Sequence, residues 1–346
     1  MSREIRAASF YRPAFEIGGR RRAGSDEDGF TLAVAAGEIL AEAVPAGPVA
    51  RIHYFGPPLP PEAVAGLPIA LGAPTATAAV HGPIRSAFAT VLSEELGDAG
   101  DGAAVLVAAE LGPHRPPPPG DRDGDGGAIA LRIGPDGAPA VGPLGPTGPL
   151  PEGPGPGGED SALRAAAEIG GAGGTVPTIV VSAAARPVPE APWAREAAFG
   201  LDARSEGAYV PRATYLQNLP SRWRFAADRC QACGALTFPV RGRCRECGGA
   251  GALHREELSL RGGTVEAVTT IHPGAQPTEF DGMMTYGGAY DVVLVALRPG
   301  GRVTLQGTDR PEGGFRVGTT VDSALRRLYP MEGEWRYGRK AVPPRP

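Results

Sequence analysis

The sequence predicts two kinds of domain in one chain: a layered α/β domain in the N-terminal half and, after a linker, a metal-pinned ribbon leading into a small β-barrel. Three observations carry this expectation. Apolar runs of strand length alternate with runs of helical period through the first half, the pattern of a sheet covered by helices. No cysteine precedes Cys230, yet Cys230, Cys233, Cys244 and Cys247 then fall within 18 residues. Beyond them come short β-runs punctuated by glycine, as in small barrels.

The elements follow in order. Ser25-Asp-Glu-Asp28 has capping-box spacing, and Leu32, Ala36, Ile39, Leu40 and Ala43 recur on one helical face, so a helix is expected over 26–43. Residues 50–56 and 67–73 read as short strands. The Ala-rich stretch 75–96 reads as a long helical segment, with Pro83 marking a start or kink and Ile84, Phe88, Val91 and Leu92 at helical spacing. Residues 103–111 and 128–133 are apolar enough to be buried strands. Residues 134–160, rich in Pro and Gly, read as a loop, 161–169 as a helix, 176–182 as a strand and 187–209 as linker. After the cysteines, strands are expected over 257–271, 291–297, 302–308 and 319–325.

Composition narrows the function. The chain has 346 residues with 34 Lys and Arg against 38 Asp and Glu, a net charge of −4, so there is no general positive field to hold a polyanion. No apolar run approaches the ~20 residues that span a bilayer, and Met1-Ser-Arg-Glu-Ile-Arg-Ala lacks the apolar region of a signal peptide. A soluble, cytoplasmic protein that binds no membrane is expected. The 52 glycines and 38 prolines border on low complexity, but 42% hydrophobic residues in periodic blocks supply real cores.

The cysteines carry the sharpest motif. Cys230-Gln-Ala-Cys233 and Cys244-Arg-Glu-Cys247 are two C-x2-C knuckles ten residues apart. Each lets two thiolates converge on one tetrahedral ion, and Gly234 and Gly248 suit the tight turns this requires. Zn²⁺ is expected; iron in a rubredoxin-like site is the chemical alternative. Four thiolates fill the coordination shell, which makes the metal structural.

At this point the sequence resembles the zinc-ribbon/OB-fold acyl-CoA-associated proteins that accompany thiolases and HMG-CoA synthases. The resemblance spans 215–346 and rests on Tyr215-Leu-Gln-Asn-Leu-Pro-Ser-Arg-Trp223, Cys230-Gln-Ala-Cys-Gly-Ala-Leu-Thr-Phe-Pro239, Glu257-Leu-Ser-Leu-Arg-Gly-Gly-Thr-Val265 and Trp335-Arg-Tyr-Gly-Arg-Lys340. The first half resembles, less closely, half of an HMG-CoA synthase or thiolase subunit through Ser25-Asp-Glu-Asp-Gly-Phe-Thr-Leu-Ala-Val34, Ala104-Val-Leu-Val-Ala-Ala109 and Asp123-Gly-Asp-Gly-Gly-Ala-Ile-Ala130. In such enzymes a cysteine at a buried helix start accepts the acyl group. The corresponding stretch here, Gly72-Ala-Pro-Thr-Ala-Thr-Ala-Ala-Val80, has none. The resemblance therefore implies a shortened thiolase-like α/β domain (1–186), a linker with a helical segment (187–225), a rubredoxin-like zinc ribbon (226–255) and an OB-fold β-barrel with tail (256–346). It implies a non-catalytic accessory subunit, without catalytic residues of its own, serving a thiolase-fold partner that acts on acyl-CoA. Two copies of each chain in a heterotetramer are expected, because such enzymes are commonly two-fold symmetric.

His81 sits where a nucleophile would be expected but reads as a helix-start residue; His53, His114, His254 and His272 receive no role. Gly170-Gly-Ala-Gly-Gly174 lacks the Lys-Ser/Thr ending of a phosphate loop, and the carboxylates at 121–125 lack the later Glu of a calcium loop. Arg222 and Arg224 around Trp223, and Arg241, Arg243 and Arg245 around the second knuckle, are candidate contacts for CoA phosphates or simply a solvated basic face. The alternatives from other classes are a zinc-ribbon/OB module for single-stranded nucleic acid and an independent acyltransferase using Thr75 or Thr77.

Overall fold

The computed structural model describes residues 3–12, 15–17, 20–22, 26–43, 47–82, 84–98, 102–110, 127–135, 178–182, 186–187, 210–272, 289–331 and 334–345. The chain divides into two compact units, Met1–Ala191 and Pro192–Pro346.

The first unit is built on a mixed sheet. Its strands are β1 (Arg3–Arg12), β4 (Val49–Phe55), β5 (Thr77–His81), β6 (Ala103–Glu110), β7 (Gly127–Pro135) and β8 (Thr178–Ser182), in the order β5-β4-β6-β7-β1-β8. β4 is parallel to β5 and β6, β7 runs antiparallel to both its neighbours, and β1 is parallel to β8. A short strand β2 (Phe15–Ile17) pairs with β3 (Arg20–Arg22) on one side and β9 (Arg186–Pro187) on the other in a separate small sheet. Adjacent residues of a strand face opposite sides, so β1 serves two layers. Ser9 donates to the Ala36 carbonyl of helix α1 (Gly29–Ala43) at 2.6 Å, while Ile5 and Ala8 join the cluster of Phe88, Val91 and Leu92 from α3 (Ile84–Gly97). Helices thus cover both faces.

α1 starts with reciprocal hydrogen bonds: Thr31 N–H donates to Asp28 Oδ1 (3.0 Å) and Asp28 N–H to Thr31 Oγ1 (2.8 Å). The cap is therefore Asp28 rather than Ser25. Every residue from Gly29 to Leu40 is buried, as expected of a helix enclosed on all sides rather than amphipathic. The predicted apolar face of Leu32, Ala36, Ile39 and Leu40 is covered within the chain, at 0–3% exposure. Among the described residues the exposed large hydrophobic side chains are Val80 and Val317.

Two expectations are corrected. Residues 67–73 are not a strand: Pro61–Ala70 forms helix α2, with Pro at its first turn, where no N–H is needed, and Ala63, Leu67 and Ala70 on its buried side. The stretch 75–96 is not one helix, since Thr77–His81 pairs with Arg51–Phe55 as β5 and the helix begins at Ile84. Once two parallel strands can pair, ladder hydrogen bonds outweigh the helix propensity of an Ala-rich run. The loop expected over 134–160 begins inside β7, which runs to Pro135, and its remainder and the helix expected over 161–169 lie outside the described residues.

The second unit has two sheets. β10 (Ala226–Cys230) lies between β11 (Leu236–Thr237) and β12 (Leu253–Glu257). The larger sheet has the order β15-β14-β13-β16-β17, with β13 (Gly263–Ile271), β14 (Tyr290–Ala296), β15 (Arg302–Gln306), β16 (Thr320–Met331) and β17 (Glu334–Val342). Its outer strands approach each other at one parallel bridge, Gly307 to Ala341, where Thr308 N–H donates to the Ala341 carbonyl at 2.9 Å. Phe225, Val265, Val293, Val295, Leu305, Phe315 and Val321 fill the space the sheet encloses.

Candidate metal centre and adjoining cavity

Each cysteine is placed by local backbone geometry. Cys230 ends β10, and Gly234, at φ +73°, turns the chain back so that its N–H reaches the Cys230 carbonyl at 2.8 Å. The second knuckle repeats this device: Gly248, at φ +72°, donates to the Cys244 carbonyl at 3.1 Å. A Cβ at either glycine would meet open space, so what selects glycine is the left-handed backbone and not crowding.

The four sulfurs lie within 4.8 Å of one another, with Cys230 to Cys247 at 3.7 Å and Cys233 to Cys244 at 3.6 Å. Sulfurs bound at ~2.3 Å to one tetrahedral ion stand ~3.8 Å apart, so the donor set fits such an ion. The thiols already differ in acidity. Cys244 is brought down to about 6, first by the backbone N–H of Cys247. Cys233 is pushed up to about 12, because its sulfur neighbours, Cys244 foremost, outweigh the opposing N–H of Ala235. Crowded sulfurs that cannot all ionise together are relieved by a cation.

A polar frame holds the second knuckle to the sheet. Buried Asp228 accepts from the N–H groups of Arg241 (3.4 Å) and Gly242 (3.3 Å) and from Arg255 Nε (3.0 Å), and Thr237 Oγ1 accepts from Arg245 N–H (3.1 Å). Ser221 donates to the Ala226 carbonyl and accepts from Val240 N–H. Arg241, Arg243 and Arg245 border a concavity of about 600 Å³ with Thr237, Phe238 and Cys244.

The resemblance motifs at 215–223 and 335–340 meet in space. Helices α4 (Arg212–Gln217) and α5 (Leu219–Arg224) bring Tyr215 and Trp223 onto β17, where Tyr215 Oη and Trp223 Nε1 both donate to the Tyr337 carbonyl at 3.0 Å. Arg339 Nε returns a hydrogen bond to the Trp223 carbonyl. Burial is deep enough to push the Tyr215 hydroxyl up to about 12. Beside this knot lies a cavity of about 750 Å³ with an apolar wall including Phe225, Phe238, Val292 and Leu305 and with Arg222 in its lining. Arg224 is engaged with Glu257 at 2.7 Å.

In the first unit, Thr75 and Thr77 are exposed on the surface, and Thr77 donates to the Ala50 carbonyl; no base touches either among the described residues. His81 is the last residue of β5, not a helix start. It contacts His53, which contacts Glu95, a grouping that no spacing in the sequence signals. His254 and His272 join neither site, and His114, 121–125 and 170–174 lie outside the described residues.

The fold and site define a class: an α/β unit joined to a β unit organised around a four-cysteine cluster able to bind a metal such as zinc. The chain belongs to the DUF35-domain family. It is 32% identical over 120 residues to a DUF35 domain-containing scaffold protein of Methanothermobacter thermautotrophicus, covering 34% of this chain and 83% of that one. A second such scaffold protein, from Methanocaldococcus jannaschii, is 28% identical over 114 residues, covering 32% and 74%. No family model matches the sequence. Among solved structures, an Ltp2-ChsH2(DUF35) aldolase superposes on 40% of this chain and 98% of its own (20% identity, TM-score 0.30). An HMG-CoA synthase complexed with CoA superposes on 39% of this chain and 42% of its own (16% identity, TM-score 0.33). No helix among the described residues is long and apolar enough to cross a membrane.

Proposed function

We propose that this chain is an accessory scaffold subunit of a thiolase-like enzyme acting on acyl-CoA, and that it supplies no acyl-accepting nucleophile of its own. One observation carries the reading: the match to a DUF35 scaffold protein over 83% of that protein's length. The sequence supports it, because all four cysteines fall in 230–247 and none remains in the α/β unit to form an acyl-enzyme. In this reading, Cys230, Cys233, Cys244 and Cys247 hold one structural Zn²⁺ in a ribbon over 226–255. A bound zinc would cross-link the two knuckles and leave no open position for a substrate. The strand order and the Gly307–Ala341 bridge support an OB-type barrel over 256–346. The α/β unit serves as a shortened thiolase-like domain.

The 750 Å³ cavity suits the acyl end of a thioester, with apolar walls for the chain and Arg222 for an anionic group. The guanidinium groups of Arg241, Arg243 and Arg245 suit CoA phosphates. A catalytic thiolase-fold chain is the partner, in a two-plus-two assembly. Carbon-carbon bond formation and cleavage on acyl-CoA, by condensation and retro-aldol cleavage, are measured with this chain alone, with the partner alone and with both. The reading expects activity to require the partner and to rise when this chain is added. Full carbon-carbon bond chemistry by this chain alone contradicts it.

A further inference from the structure

A second cluster of ionisable side chains lies in the α/β unit, on the sheet face that α3 covers. Arg51, His53 and Phe55 alternate on β4 and share that face, His81 stands beside Phe55 in register on the edge strand β5, and Glu95 lies in the last turn of α3. His53 Nε2 is 3.0 Å from Glu95 Oε1, and His53 Nδ1 is 3.0 Å from His81 Nε2. The two imidazole centroids are 5.3 Å apart, with the ring planes 21° from parallel. An imidazole nitrogen lies little more than an ångström from its ring centre, so 5.3 Å is reached only if both nitrogens sit on the line between the centres. The rings therefore face each other head-on, the geometry of a linear hydrogen bond. A metal shared head-on by two imidazoles at ~2.0 Å each would hold the nitrogens ~4 Å apart, so a proton fits between them and a metal does not.

The ends of the chain decide where the protons sit. Arg51 donates to both Glu95 oxygens, Nε at 2.8 Å and Nη2 at 2.9 Å, and also pairs with Asp98. Against the opposing effect of burial, Arg51 and His53 hold the Glu95 carboxyl below its ordinary value. An ionised carboxylate donates nothing, so His53 Nε2 carries the hydrogen. In the state where both rings are uncharged, His53 presents a lone pair at Nδ1, His81 Nε2–H donates to it, and His81 Nδ1 is left with a lone pair. No described residue hydrogen-bonds that last nitrogen. The half-buried His81 ring is held flat against Phe55 at 4.6 Å. Burial, the largest influence on the ring, lowers the His81 pKa and so favours the neutral imidazole.

We propose that His81 Nδ1 is a proton-accepting site for a neutral thiol or hydroxyl presented at the β5 edge, with His53 and Glu95 as positioning residues. The X–H bond of the ligand breaks and an H–Nδ1 bond forms on His81. The His81 Nε2 proton passes to His53 Nδ1. The ligand is left as an anion, His81 is again neutral, and the positive charge resides on His53 beside the Glu95 carboxylate. No oxidation or reduction occurs.

The test uses the full chain. Histidine-labelled nitrogen NMR from pH 5 to 9 reads the tautomers directly; an Nε2-protonated His81 with a bare Nδ1 at high pH is expected, and the opposite tautomer overturns the proposal. The functional probe is thiolysis of p-nitrophenyl acetate by 2-mercaptoethanol. The chain is expected to accelerate it, and H81Q to remove at least tenfold of that acceleration. E95Q retains an acceptor but removes the charge that stabilises the His53 cation, so the pH profile of the coupled pair is expected to move to lower pH. Wild-type chain without acceleration, or H81Q matching wild type while its circular dichroism is unchanged, overturns the assignment. Should H81Q fail to fold, an E95Q profile that does not move overturns it equally. The proposal does not depend on the scaffold reading, whose test requires the partner.

Discussion

The two units hold their polar clusters together by different means. In the β unit, four thiols come together through two tight knuckles within 18 residues, and three of the framing donors, the N–H groups of Arg241, Gly242 and Arg245, belong to the same short segment. In the α/β unit, Arg51, His53, His81 and Glu95 converge from two strands and a helix, through side chains up to 44 residues apart. The local cluster is four thiols able to bind a cation that would relieve their crowding, whereas the dispersed one contains its own counter-charges. The β unit should therefore be sensitive to metal and the α/β unit to pH.

The largest break in that contrast comes from removing a thiolate. Structural zinc in comparable small domains is worth ~10–16 kcal/mol of folding free energy, so on the proposed zinc site Cys233→Ser or exhaustive chelation is expected to abolish stoichiometric metal and unfold the segment around the four cysteines. Hydrogen exchange read by mass spectrometry should find 226–257 deprotected and β1, β4, β6 and β7 still protected. Next in size is Trp223→Ala. This indole is fully buried and tied to the Tyr337 carbonyl, and its loss is expected to cost ~3–5 kcal/mol by denaturant unfolding, confined to the β unit.

Which of these features the sequence reveals depends on how far apart their parts lie. Both knuckles and their glycines are local, so the spacing of Cys230, Cys233, Cys244 and Cys247 carries the site almost completely. The meeting of Tyr215 and Trp223 with Tyr337 spans more than a hundred residues, and only a family resemblance hints at it. β1 escapes detection because Arg3, Glu4 and Arg6 mask Ile5, Ala7 and Ala8, which are buried on both faces of the sheet. β5 is hidden in an Ala-rich run that reads as helix until β4 pairs with it. His53 and His81 carry no signal at all, because the register of two parallel strands, not spacing, brings them together.

Smaller effects sharpen the comparison. Arg51→Ala leaves the Glu95 carboxylate beside His53 without its bidentate partner; since Arg51 is partly exposed, ~1–2 kcal/mol is expected after discounting for solvent. The sign with pH is fixed. The folded-state pKa of Glu95 is depressed, so its contribution is complete above the ordinary carboxylate range and is lost as pH falls through the lowered value. Urea titrations of wild type and Arg51→Ala should converge in acid. Smallest is Gly248→Ala, where a left-handed φ of +72° in open space should cost ~1–2 kcal/mol and weaken metal retention without loss of the α/β unit.

The scaffold reading is tested most directly by the mass of the assembly. Light scattering on this chain, co-expressed with a candidate thiolase-fold chain, should give two copies of each, held through an interface larger than the ~2,000 Å² at which permanent complexes begin. A stable 35.4 kDa monomer that ignores that chain with and without acyl-CoA would contradict the account.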